Sequence, residues 1–258
     1  MTDSWVALRR FTQARIALGR AGHAVPTRVL LDFQLAHAEA RDAVHFPWDI
    51  DSFAGEVRGL GAEVMILDTP VGSRVEYLRR PDLGRVLTAE SRDRLRKCTA
   101  GETDVALIVT NGLSSTAVER HGIPLIQAIV TGCRAWQIRI APVCLVANGR
   151  VALSDDIGSV IGARVAVIVV GERPGLSAAD SLGVYLTFAP QPGNTDAERN
   201  CISNIRPPEG LGYEAATAKL LYLTGEAMRL GISGVGLKDE MVEKIEDGFL
   251  RGKTGEES

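Results

Sequence analysis

ARVAVIVVGERPGLSAADSLGVYLTFAPQPGNTDAERNCISNIR, residues 163–206, opens with an apolar run from Val165 to Val170 that contains no charge. The run is rich in β-branched residues and too short for a core helix, so it is expected to be a strand buried on both faces. It stops at Gly171, and Glu172, Arg173, Pro174 and Gly175 follow at once. Ligands of open α/β sheets sit beyond the carboxyl ends of the strands. Glu172 and Arg173 therefore stand where a ligand would be met, with Pro174 and Gly175 shaping the turn. A second strand-like run, Val184 to Phe188, leads through a polar loop to Asp196-Ala-Glu-Arg-Asn-Cys-Ile-Ser-Asn204, a stretch dense in hydrogen-bonding groups around Cys201.

The rest of the chain supplies the alternation that such a strand needs. Val105 to Thr110 reads as a second buried strand. Asn111 to Ser115 is a loop in which Ser114 or Ser115 can cap a helix running to about Gly132, kinked or split by Pro124. Ile138 to Ala147 is the next strand. Asn148-Gly149-Arg150 is a tight turn of the hairpin kind, with Val151 to Leu153 pairing back. Asp155 and Asp156 begin a short helix ending at Gly162. Tyr213 to Leu230 is the last helix, stopped by Gly231, and the charged sequence from Glu240 is expected to fray. Strands alternating with helices imply an α/β fold: a Rossmann-like, mostly parallel sheet with helices on both faces.

Upstream, the pattern is mainly helical. Ser4 can cap an amphipathic helix over residues 4–20 with Val6, Leu8, Phe11, Ile16 and Leu18 on one stripe. A second helix follows Pro26, with Val29, Leu30, Phe33, Ala36, Ala40 and Val44 at helical steps. His37 lies on or beside that stripe as a core or edge histidine, and His45 sits at the helix end. A third short helix spans Asp49 to Gly61, and Ala62 to Leu67 is a strand candidate. A turn-like, basic piece runs from Tyr77 to Arg85. Its Arg79, Arg80 and Arg85 either grip an acidic surface or a phosphate, or form a solvated connection. Glu90 to Cys98 is a charged surface helix. The boundary between the helical part (1–100) and the α/β domain (101–258) is expected near residue 100.

Composition narrows the functional classes. The 258 residues are 45% hydrophobic and 24% charged, as in an ordinary globular protein. A net charge of −3 gives no long-range pull towards nucleic acid or anionic lipid. The first residues lack a secretory pattern and no apolar run reaches membrane-spanning length, so a cytoplasmic protein is expected. The four cysteines, Cys98, Cys133, Cys144 and Cys201, form no CxxC pair, which argues against structural zinc and a disulfide framework. Cys133 and Cys144 read as packed thiols and Cys98 as a helix-surface residue. Cys201 alone lies in a polar, ligand-facing neighbourhood, although a structural role is the simpler assignment on composition. No GxGxxG, Walker lysine, GxSxG or HExxH occurs, so no nicotinamide, hydrolase or metal site is assigned.

The strings GERPGL, SLGVYLTFAP, DAERNCISN and LRRPDLGR resemble the small subunit of ethanolamine ammonia-lyases, over about Arg15 to Leu237. The resemblance implies a non-catalytic small subunit of an adenosylcobalamin-dependent enzyme that converts ethanolamine to acetaldehyde and ammonia by a radical route. It implies a large-subunit partner, a βα barrel carrying the catalytic side chains, with the cobalamin between the two and a hexamer of large/small pairs. The family's small-subunit cobalamin contacts map onto Val151, Glu172 and Cys201, with Arg173, Ser203 and Asn204 ranked behind on position. The LRRPDLGR string belongs to the resemblance and points its arginines to an interface or the site. The Asp-x-His-x-x-Gly string that supplies a cobalt-ligating histidine does not occur, which agrees with the base-on coenzyme of the family. Some members carry an Ala/Pro/Ser-rich leader associated with bacterial microcompartments. Here the first helix pattern begins near residue 4, so free cytosol is expected and packaging stays open. The competing readings are a stand-alone corrinoid- or nucleotide-binding module and a Rossmann-type oxidoreductase.

Overall fold

The computed structural model describes residues 4–98 and 101–241. A six-stranded sheet forms its centre, in the order β1-β3-β2-β4-β5-β6. The strands are β1 (Val64–Leu67), β2 (Val105–Thr110), β3 (Val143–Val146), β4 (Val165–Gly171), β5 (Leu182–Phe188) and β6 (Arg199–Ile205). The first four in space run parallel, whereas β5 pairs antiparallel with β4 and β6 antiparallel with β5. The antiparallel end of the sheet was not foreseen. β1 pairs with β3, so the sheet takes one strand from before residue 100.

Why β2 and β4 are continuous apolar runs is plain from the packing. Side chains alternate between faces of a strand. Val105, Leu107 and Val109 of β2, with Val165, Val167 and Val169 of β4, face the layer of α2 (Ile50–Gly59), α5 (Ser115–Ala135) and α7 (Tyr213–Leu230). Ala106, Ile108, Ala166 and Ile168 face α4 (Ala89–Cys98) and α6 (Leu153–Ile161). Neither face has room for a polar residue, so the period-2 signal disappears from the sequence.

Local chemistry sets the helix ends. Asp49 accepts from Ser52 N at the start of α2, and Ser114 accepts from Ala117 N at the start of α5. Gly162 and Gly231 close α6 and α7 in the left-handed region, at φ 72° in both cases. α5 is not split at Pro124. Buried Cys133 and Cys144 and exposed Cys98 lie as expected.

Four expectations fail for identifiable reasons. Residues 4–20 are not one α-helix: a 3-10 helix covers Ser4–Phe11, and Ala21 and Ala24 then form an isolated bridge. Its apolar side chains find no core; Trp5 is 62% and Phe11 73% exposed. α1 (Thr27–His45) forms as expected, but His37 is exposed, with its ring 6.3 Å from that of Phe33 between centroids. Tyr77 to Arg79 belong to a helix, α3 (Arg74–Arg79), instead of a turn, and the 3-10 helix Leu83–Arg85 follows. Asn148-Gly149 does not turn a hairpin, and Val151–Leu153 do not pair back. Asn148 adopts φ 57°, which Asn tolerates, but the chain then enters α6, because Leu153, Ile157 and Ile161 recur every four residues. The stretch beyond Met241 lies outside the described residues.

Candidate functional site

The carboxyl edge of the parallel strands is built by three loops that clamp one another. After β2, the Asn111 side chain donates to Ser115 Oγ at 3.0 Å and accepts from Asn148 N at 2.7 Å. After β3, Gly149 N–H reaches Thr110 Oγ1 at 2.8 Å, and Gly149 O accepts from the buried Tyr77 hydroxyl at 3.1 Å. After β4, Gly171 O accepts from Leu113 N at 2.9 Å. A Cβ on Gly171 would overlap the Ser114 carbonyl, so only glycine lets β4 end this close to the neighbouring loop. Such fixed loops at the point where α5 and α6 leave opposite faces are the usual ligand position of open α/β sheets.

A cavity of about 410 Å³ opens at this edge, lined by Tyr77, Leu113, Arg150, Val151, Val170, Gly171, Glu172, Arg173 and Tyr185. Val151 and Glu172, assigned from different parts of the sequence, thus share one cavity. Glu172 is held firmly. Its backbone N–H donates to Ser181 O at 3.0 Å, and its Oε2 accepts from Ser181 Oγ at 2.6 Å and from Asn204 N at 3.2 Å. Oε1 makes no hydrogen bond within the described residues and is available to a ligand donor.

Cys201 does not line the cavity itself. It lies opposite Tyr185 in the β5–β6 ladder, and the two side chains are hydrogen-bonded. Its thiol is pushed up, first by lost hydration and then by the Glu172 carboxylate, against the lowering effect of Tyr185. It is therefore a neutral thiol and a poor anionic ligand. The Tyr185 hydroxyl is likewise raised, chiefly by burial.

The CISN string has a structural explanation. Leu182 pairs with Ile205 and Val184 with Ile202, so two steps on β5 face three on β6. The extra residue makes a bulge. Asn204 within it adopts φ 58° and turns its N–H to Glu172. Of the second-rank residues, Arg173 lines the cavity and Asn204 anchors Glu172, whereas exposed Ser203 does neither. Arg79, Arg80 and Arg85 are exposed, and Arg80 is paired with Asp82 at 2.6 Å. Tyr77, Arg150 and Tyr185 were not assigned from sequence. For Tyr185 the signal was present: in LGVYLTF it alternates out of phase with Leu182, Val184 and Leu186, which places it on the other sheet face.

None of the four histidines lines this cavity; His121 is buried on α5, bonded through Nδ1 to the Tyr213 hydroxyl at 2.8 Å. Among the described residues, no group of three or more His, Cys, Asp and Glu is placed to hold a metal. A larger groove of about 950 Å³ lies between α5 and α7, lined by Ala128, Trp136, Leu221 and Tyr222 among others. It contains none of Val151, Glu172 and Cys201.

Residues 2–238 match the family model described as ethanolamine ammonia-lyase light chain (EutC). The chain belongs to the ethanolamine ammonia-lyase small-subunit family. It is 54% identical to the ethanolamine ammonia-lyase small subunit of Ralstonia nicotianae, over 92% of this chain and 88% of that one. It is 52% identical to the small subunit of Azotobacter vinelandii, over 92% and 89% of the two chains. It is 49% identical to that of Pseudomonas aeruginosa, over 95% and 91%. The matched stretch includes every residue that lines the cavity. No helix among the described residues is long and apolar enough to cross a membrane.

Proposed function

We propose that this chain is the coenzyme-holding small subunit of an adenosylcobalamin-dependent ethanolamine ammonia-lyase. It gives the carboxyl edge of its sheet to the coenzyme, while a large subunit carries the substrate and the catalytic side chains. The observation that carries this reading is the gathering of Val151 and Glu172 around one cavity, with Cys201 one hydrogen bond behind it.

The residues fit an edge of a corrinoid. The corrin has an apolar ring system and a rim of amides. Val151, Leu113 and Val170 give the cavity an apolar wall, and Glu172 Oε1 offers an acceptor for an amide N–H. A cavity of about 410 Å³ takes only part of such a molecule, so a second surface has to cover the rest. When bound, the coenzyme supplies the radical chemistry by which ethanolamine gives acetaldehyde and ammonia. The work of this chain is to bind, orient and exclude water. No histidine lines the cavity, so this lining would hold a corrinoid through its apolar wall and Glu172.

A large-subunit partner also suits the amino-terminal segment. Trp5, Phe11, Leu31, Phe33 and Leu35 are exposed large hydrophobics, and Arg15 donates to Leu176 O at 3.4 Å, tying this segment to the loop after Glu172. Apolar surface beside a coenzyme site is what a permanent subunit contact would bury. The finer assignments are a βα-barrel partner, a hexamer of large/small pairs and a cytosolic location with packaging open. These rest on the family alone.

Glu172→Ala tests the reading. Ser181 and Asn204 lose their acceptor, which costs about 1 kcal/mol of folding stability. In the reconstituted two-subunit complex, cobalamin retention should fall about tenfold, the loss of one charge-assisted hydrogen bond. Unaltered retention, measured by gel filtration of the loaded complex, would take Glu172 out of the site.

A further inference from the structure

Arg150 stands at the cavity with a charge that no acid among the described residues pairs with. Its backbone N–H is fixed to Gly84 O at 2.7 Å, and its guanidinium makes one hydrogen bond, from Nη2 to Tyr77 O at 3.0 Å. The guanidinium lies 4.1 Å from the centre of the Tyr77 ring, and that of Arg74 lies 4.7 Å from it. One buried tyrosine therefore packs against two cations. The acceptors of Arg74 are Val44 O, Gly112 O and Asn148 Oδ1, all neutral. Arg74 Nη2 and Arg150 Nε are buried with no hydrogen-bond partner among the described residues.

Arg173 lines the same cavity. The single acid in the lining, Glu172, has Oε2 engaged by Ser181 and Asn204. The lining thus holds two cations against one anion, with Arg74 as a third cation behind Tyr77. Half-buried guanidinium charge without a counter-charge is costly, and the planar fork of arginine suits phosphate or carboxylate oxygens. Arg150 keeps Nη1 and one Nη2 hydrogen for such a group.

The corrin rim is neutral amide, whereas the nucleotide loop of cobalamin carries one phosphodiester. Building on the cobalamin reading above, we propose that Arg150, packed on Tyr77 and backed by Arg74, forms an anion subsite that takes the coenzyme's phosphodiester. Glu172 and Arg150 then divide the recognition: the carboxylate accepts from the amide rim, and the guanidinium holds the phosphate.

Three corrinoids separate the parts in the reconstituted two-subunit complex: cobalamin, cobinamide phosphate without the base, and cobinamide without the phosphate. Arg150→Gln is expected to weaken retention of the first two by tenfold or more and to change that of cobinamide less than twofold. Arg150→Lys, which keeps the charge and loses the fork, should fall between wild type and Arg150→Gln and serves as the folding control. Added salt should erode the wild-type advantage of the phosphate-bearing ligands. An equal loss for all three corrinoids, or no loss, would overturn the subsite. Weaker subunit association without corrinoid, at unchanged retention per complex, would assign Arg150 to a partner carboxylate and also overturn it. Failure of the wild-type complex to retain any of the three would remove the cobalamin reading itself, a result visible before any variant is compared.

Discussion

Incubated alone with ethanolamine and adenosylcobalamin, the purified chain is expected to release no ammonia above background, and to acquire activity once the large subunit is added. The lining of the cavity explains why. Two arginines are permanent cations, and Glu172 is engaged by Ser181 and Asn204. Burial holds both the Tyr185 hydroxyl and the Cys201 thiol in the protonated, uncharged form. No histidine lines the site. General acid–base catalysis needs a group whose pKa lies near the working pH and which is within reach of substrate. The groups of this lining suit binding, and turnover is expected only once the large subunit joins. A stand-alone oxidoreductase would turn over its substrate without a partner, and an independent carrier module would hold its ligand tightly alone. Ammonia release by the isolated chain, followed with a coupled reductive assay, would end the division of labour proposed here.

Asp155→Ala is expected to destabilise the chain by about 3–5 kcal/mol, the cost of stripping a buried ion of its partner. Asp155 lies in the first turn of α6 and Arg199 opens β6. Their forked pair has Nη1–Oδ1 at 2.6 Å and Nη2–Oδ2 at 2.7 Å, and both side chains are only 2% exposed. Arg199 also donates to Thr187 Oγ1 and Asn194 O, fastening the edge strand to its neighbours. Removing the carboxylate leaves the guanidinium buried with neutral acceptors and with Asp196, 3.5 Å from Nε, whose carboxylate is fully exposed and screened by solvent. Because β6 carries Cys201 and Asn204, coenzyme retention should fall along with stability. Urea unfolding at an unchanged m-value measures the first effect, and a loss below about 1 kcal/mol would show that the pair does not hold the edge. The apolar double replacement Asp155→Leu with Arg199→Met should recover most of the stability, since a matched apolar pair leaves no orphaned charge.

How much was legible in the chain itself differs by element. β2 and β4 are legible because a strand buried on both faces admits no charge, and Val105–Thr110 and Val165–Val170 contain none. Helix ends at Ser114, Gly162 and Gly231 are legible because capping is local chemistry. β6 was not, since an edge strand exposes one face: Ile202 and Ile205 are its buried hydrophobics, and the bulge at Asn204 puts them out of step. The Asn148-Gly149 turn was misjudged because a left-handed Asn serves a hairpin and a strand-to-helix turn equally well. In the site, Glu172 follows from its place at the end of an unmistakable strand. Val151 and Cys201 came from family likeness, and nothing in their local sequence marks them. Arg150 escaped notice because its significance depends on Tyr77 and Arg74, more than seventy residues away in sequence. The Asp155–Arg199 pair, 44 residues apart, is invisible to any local pattern.

Hydrogen–deuterium exchange on the assembled two-subunit protein, with and without adenosylcobalamin, addresses the central claim most directly. Coenzyme should slow exchange in three separate stretches of this chain: the turn at 149–152, the loop at 171–174 and the edge strand at 201–205. Slowing confined to the large subunit, or centred on the groove between α5 and α7, would contradict a coenzyme site at the carboxyl edge of this sheet.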